Sequence, residues 1–142
     1  ADRVTAVGFY AGTLAIDECD PVEPVSLLHI HGDADQNIPI DGGRGTQGIS
    51  GVDFPSPRAG FERFATAESC PAGTVTTEGD LTTDVREPCD GGTTVEFVTI
   101  AGATHGWPGS TARRIPGSGP VYDGMDATAV IVEFVLTHPR TG

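Results

Sequence analysis

Lysine is absent from this sequence: its eight basic residues are all arginines, set against 20 acidic ones, for a net charge of −12. A chain so poor in cations has no basic stripe to neutralise phosphates, which argues against nucleic acid as a partner. The acidic residues are scattered rather than blocked, as on a solvated surface. Also missing is any apolar run of membrane-spanning length, so no membrane partner is expected. No basic head followed by an apolar core is legible in "ADRVTAVGFY", so no targeting signal is visible in the chain as it stands.

The three cysteines, Cys19, Cys70 and Cys89, lack C-x-x-C spacing, which speaks against a zinc knuckle or a thioredoxin-type pair. Cys70 and Cys89 bracket a turn-rich segment that a disulfide could close, as in secreted proteins. That pairing leaves Cys19 as the odd cysteine of the three. Three reduced, buried cysteines in a cytosolic protein are the alternative. The Gly-rich "DGGRGTQGISGVDFPSP" lacks both the Gly-Lys-Ser/Thr ending of a P-loop and a G-x-G-x-x-G opening a helix, and reads as a surface loop. A second loop, "STARRIPGSGPVYDG", lies further on.

What is present suits one domain. The 142 residues are 37% hydrophobic, enough to bury a core of ordinary size. Val4 to Tyr10, Pro24 to Ile30 and Thr94 to Ile100 are rich in β-branched and aromatic residues and end in Gly, Asp or Ala-Gly punctuation, as strands buried on both faces do. The long spacing between them favours parallel pairing over tight hairpins. "PRAGFERFATAESC" places Phe61, Phe64 and Ala65 on one helical side, and "MDATAVIVEFVLTHP" does so with Val130, Ile131, Phe134 and Val135. Asp126 is placed to cap the latter helix and Pro139 to end it. The threonine-rich stretch from Ala72 to Pro88 suggests a small hairpin around Glu78-Gly79-Asp80.

"VSLLHIHGDADQNIPI" carries His29, His31, Asp33 and Asp35 as H-x-H-x-D-x-D, the look of metal ligands along a strand. A zinc hydrolase opening with H-x-H-x-D needs a further histidine after the aspartate, and Ala34 stands there. Gly32 ends the strand and "DADQNIP" is turn chemistry, so period-two pointing stops. No metal is therefore expected. The other reading pairs an aspartate just past one parallel strand with a histidine just past another, at the carboxyl edge where open α/β sheets place their sites. Asp35 follows "LLHIHGDA" and His105 follows "EFVTIAGAT".

"LLHIHGDADQNIPIDGG" resembles the segment of α/β-hydrolases of the polyhydroxybutyrate depolymerase and feruloyl esterase type in which H-G-x-x-D presents the triad acid. "EFVTIAGATHGWPGS" is similar to their G-x-x-H-x-W-P-G, which carries the triad histidine. "DRVTAVGFYAGTL" resembles the strand after the nucleophile helix and "MDATAVIVEFVLTHP" the closing helix, so the likeness covers nearly the whole chain. It departs from the usual pattern at Thr104, where Gly is common, and at Gly106.

The resemblance implies the C-terminal half of an α/β-hydrolase fold over residues 1–142, mainly parallel strands with flanking helices. It implies a serine-type carboxylic ester hydrolase of the polyhydroxyalkanoate, feruloyl or short-chain ester class, with Asp35 and His105 catalytic and no cofactor. Asp33 is expected to cap the turn and His29 to be a satisfied core histidine. Trp107 is either a wall of the substrate pocket or a packing residue steadying the histidine loop. No G-x-S-x-G turn occurs, and Ser118 follows the histidine, against the expected order of serine, acid, base. The nucleophile is therefore expected in a missing N-terminal half, in the same or a separate chain, and the isolated chain is expected to be inactive. The abrupt opening with a buried-type strand fits that expectation. Other expected partners are small or polymeric esters, and a secreted or periplasmic location fits the proposed disulfide. A non-catalytic binding or interaction module built on the same residues is the alternative.

Overall fold

The computed structural model describes residues 4–19, 21–48, 51–112 and 116–139; residues 49, 50 and 113–115 of the two long loops lie outside these. A five-stranded sheet organises them. Its strands are β1 (Ala6–Tyr10), β2 (Ser26–Gly32), β5 (Thr74–Glu78), β6 (Leu81–Arg86) and β7 (Val95–Ile100), in the order β1-β2-β7-β6-β5. The short β3 (Gly43–Arg44) and β4 (Asp53–Phe54) pair separately. Helix α1 (Pro57–Ala67) follows β4, a 3-10 turn (Asp90–Gly92) precedes β7, and α2 (Ala127–Thr137) comes last.

β1 and β7 run parallel to β2, whereas β6 is antiparallel to both β7 and β5. This overturns the expected fold class. The domain is a mixed sheet in which strand outweighs helix, with seven strands and two helices among the described residues, not the mainly parallel half of an α/β-hydrolase with flanking helices. The reason lies in the threonine-rich hairpin. Turning at Gly79 (φ +59°), it does not stand apart but extends the main sheet along the free side of β7, so half of the pairings are antiparallel.

Strand alternation divides the core. Leu28 and Ile30 of β2 and Val98 and Ile100 of β7 face α2, where they pack with Tyr10, Ala127 and Phe134. Leu27, Val95 and Phe97 face α1 and meet Phe61 and Ala65. Phe61 and Phe97 are fully buried, and each stabilises the fold by about 2 kcal/mol on burial alone. Over that face Asp84 accepts from Arg58 (2.8 Å) and Arg86 (3.2 Å), and both guanidinium groups lie on the Phe61 ring.

Helix starts follow their local signals. Ser56 Oγ accepts the Ala59 N–H at 3.3 Å with Pro57 opening α1, and Asp126 Oδ1 accepts the Ala129 N–H at 3.0 Å in α2. Thr137 ends α2 two residues before Pro139. On α2, Phe134 is buried as its spacing predicts, but Val135 is exposed, because β1 and β2 contact only one side of the helix. Cys70, just past α1, is disulfide-bonded to Cys89, closing the base of the β5–β6 hairpin.

Candidate active site

β2 is buried along all seven residues and delivers its next turn against the loop after β7. Gly32 makes that approach possible: a Cβ there would lie 2.2 Å from the Ala103 carbonyl oxygen. The two loops are stitched by Asp33 N–H to Ile100 O (3.1 Å) and Ala34 N–H to Ala103 O (3.0 Å). Asp33 adds a side-chain tie, its Oδ1 accepting the Gly102 N–H at 2.6 Å. The capping role expected of Asp33 thus reaches across to the neighbouring loop.

Asp35 closes the turn with its carboxylate wholly buried. Oδ1 accepts the N–H groups of Asn37 (2.7 Å) and Ile38 (3.0 Å), and Oδ2 accepts from His105 Nδ1 at 2.8 Å. Burial raises the carboxyl pKa, but the bonds from His105, Ile38 and Asn37 outweigh it and hold the group below its ordinary value. An ionised carboxylate only accepts, so neutral His105 carries its proton on Nδ1 and leaves Nε2 bare. The His105 side chain is one-third exposed. The pair is a buried acid orienting a reachable base.

The histidine loop is braced on both sides. Thr104 Oγ1 donates to the carbonyls of Pro120 (2.8 Å) and Ser118 (3.0 Å), and the Tyr10 hydroxyl donates to the Thr104 carbonyl. Thr104 thereby ties the loop to residues 118–120. Gly106 bridges to Val121, and a Cβ on it would lie 2.9 Å from the Pro120 carbonyl oxygen. Trp107 is anchored by its indole N–H to Thr128 Oγ1 of α2 at 3.0 Å and edge-on to Tyr10, yet remains 41% exposed. It packs the loop and still offers an apolar surface next to His105.

His29 and His31 lie on the α1 face of β2, joined by a 3.3 Å contact between His29 Nε2 and His31 Nδ1. Phe9 and Phe97 flank the His29 ring at 4.3 and 4.6 Å between centroids. Burial, followed by His31, pushes His29 down to about 3, while the Gly12 backbone favours the protonated ring without offsetting them. His31 is also held below its ordinary value, by burial first. His29 is the core histidine expected of it. A cavity of about 330 Å³ lined by Phe9, Leu14, Phe61 and Phe64 opens beside it.

The four residues of the H-x-H-x-D-x-D stretch are thus divided: two histidines bond each other, Asp33 holds Gly102 and Asp35 holds His105. Among the described residues no three His, Cys, Asp or Glu side chains gather as a metal site. Four serine hydroxyls are engaged elsewhere. Ser26 accepts from Thr94 N–H, Ser56 donates to Ile40 O, Ser69 donates to Asp90 and Ser110 accepts from Ala112 N–H. Ser50 lies outside the described residues. Ser118 sits in the loop that Thr104 holds.

No protein-family model matches the chain, and no curated protein matches it. Of the residues singled out from the sequence, Asp35 and His105 are brought into hydrogen-bond contact, and Trp107 lies on the loop two residues past His105. Sequence reasoning missed the Tyr10 hydroxyl, Thr104 as a loop brace, and the His29–His31 contact, for which the period-two placement of the histidines was the available signal.

Proposed function

We propose that this chain supplies the acid and base of a serine-type carboxylic ester hydrolase. The single observation that carries the reading is the buried Asp35 carboxylate, held by two backbone N–H groups and bonded to His105 Nδ1 at 2.8 Å. Asp35 fixes the tautomer and steadies the imidazolium that forms. His105 Nε2 takes the proton of a serine hydroxyl and then returns it to the leaving alcohol. The likeness of the two loop segments to esterases of the polyhydroxybutyrate depolymerase and feruloyl esterase type supports an ester substrate of the polyhydroxyalkanoate, feruloyl or short-chain class. The exposed Trp107 next to the base is suited to an apolar acyl or aryl group. The Cys70–Cys89 disulfide supports a secreted or periplasmic site of action.

The nucleophile must reach His105 from a segment carrying a G-x-S-x-G turn, which these 142 residues do not contain. The test has two arms. The reading frame that encodes the chain, or a gene beside it, is expected to carry a G-x-S-x-G segment, and the isolated chain is expected to show no turnover of 4-nitrophenyl butyrate above background. Turnover by the isolated chain that disappears in Asp35→Asn and His105→Ala would place the nucleophile within it and overturn this division.

A second reading, a non-catalytic binding or interaction module in which Asp35 and His105 are structural partners, is favoured by the engagement of Ser26, Ser56, Ser69 and Ser110 away from the pair. Absence of any G-x-S-x-G partner segment selects it.

A further inference from the structure

We propose that His31, oriented by His29, is a positioning residue that holds the Asp35 carboxylate in register with His105. The inference rests on the reading of Asp35 and His105 as the acid–base pair. It assigns a task to two histidines that the proposed chemistry leaves unused.

His31 is fully buried one turn before Asp35, and its Nε2 lies 2.9 Å from the Ile38 carbonyl oxygen. That oxygen only accepts, so Nε2 carries the proton. The same nitrogen lies 3.7 Å from Asp35 Oδ2, the oxygen that accepts the His105 Nδ1–H hydrogen bond. A single N–H is therefore directed into the loop that folds over the carboxylate, tying residue 38 back to β2. The Ile38 N–H in turn donates to Asp35 Oδ1. His31 thus holds both the residue whose N–H binds one carboxylate oxygen and the space beside the other.

With its proton on Nε2, neutral His31 has a bare Nδ1, and the 3.3 Å contact makes His29 Nε2–H the donor to it. His29 is itself clamped between Phe9 and Phe97. Orientation passes from two aromatic rings through two imidazoles to the acid, as outer-shell partners set the direction of a working group elsewhere.

The test is histidine ¹⁵N–¹H NMR on the 142-residue protein at neutral pH. His31 is expected as the Nε2–H tautomer, and the His105 Nδ1 proton is expected to be protected from exchange. In His31→Leu that proton should exchange at least tenfold faster, while the amides of β2 and β7 keep their protection. In His31→Gln, whose amide N–H reaches the place of Nε2, protection should return to within about threefold of wild type. His29→Phe should release His31 into a mixture of tautomers.

A folded His31→Leu variant with unchanged His105 exchange overturns the proposal. So does loss of protection spread evenly over β2 and β7, which marks a packing role alone. If His31→Leu does not fold, the His31 tautomer and His31→Gln decide: an Nδ1–H His31, or a folded His31→Gln without recovery, overturns it. The readout is the hydrogen bond and not turnover, so failure of ester hydrolysis and failure of this inference are separate results.

Discussion

His105 Nδ1 stands 2.8 Å from Asp35 Oδ2, a contact between residues seventy positions apart, made by the loops that follow two neighbouring parallel strands. The bond sets which nitrogen of the imidazole is available. With Asp35 in place the neutral ring carries its proton on Nδ1. Asp35→Asn, whose amide both donates and accepts, should shift a large fraction of the ring to Nε2–H. Histidine ¹⁵N chemical shifts check this, and an unchanged tautomer in the variant contradicts the orienting role.

Acid should destabilise the fold well above the range in which its carboxylates titrate. His29 is pushed down to about 3 in the native state, against about 6.5 in an unfolded chain. Its contribution is therefore complete above pH ~6.5 and is lost as the pH falls toward the native value, because the unfolded ring takes up a proton that the buried one refuses. The slope approaches about 1.4 kcal/mol per pH unit, or roughly 2 kcal/mol between pH 6.5 and 5. His31, shifted in the same direction, adds to this window. Asp35 acts lower: its depressed pKa contributes stability above the unfolded value of about 3.9 that is lost only as the pH falls through the native one. Urea melts at pH 7, 6 and 5 should record the loss, with a flatter profile in His29→Phe. Equal stability at pH 7 and 5 contradicts it.

Gly32→Ala should separate the two loops. The new Cβ would meet the Ala103 carbonyl oxygen at 2.2 Å and its carbon at 2.5 Å, both backbone atoms. A cost of about 3 kcal/mol is expected, together with loss of the protected His105 Nδ1 proton. Gly79→Ala, in open space at the hairpin turn with φ +59°, should cost only about 1 kcal/mol. Equal effects of the two substitutions in denaturant melts would contradict the close approach.

Reduction of Cys70–Cys89 should destabilise the domain by about 3 kcal/mol, the value for a loop of its 19-residue separation. Thermal melts with and without reductant, alongside Cys70→Ser, measure it. An unchanged melting temperature after confirmed reduction contradicts a stapling role.

Local signals made part of this fold legible. Apolar β-branched runs marked β1, β2 and β7, Asp126 marked the start of α2, and Gly79 marked a hairpin. Sheet membership was not local. Thr74–Glu78 is exposed and Leu81–Arg86 is half-buried around a polar, threonine-rich run, so neither announces membership of the main sheet, and their antiparallel addition changes the fold class. At the site, turn residues after two strands pointed to Asp35 and His105, since an acid and a base at strand ends need only topology to meet. The contacts of Tyr10 with Thr104 and of the Ile38 amide with Asp35 depend on where side chains and loops come to rest. No spacing rule encodes that.

The most direct test of the central claim is 4-nitrophenyl butyrate turnover by this chain co-expressed with the G-x-S-x-G segment encoded with it. The account predicts serine-dependent turnover that falls about 10⁴-fold in Asp35→Asn and to background in His105→Ala. Turnover that survives both substitutions, or the absence of any G-x-S-x-G segment to pair with, would contradict it.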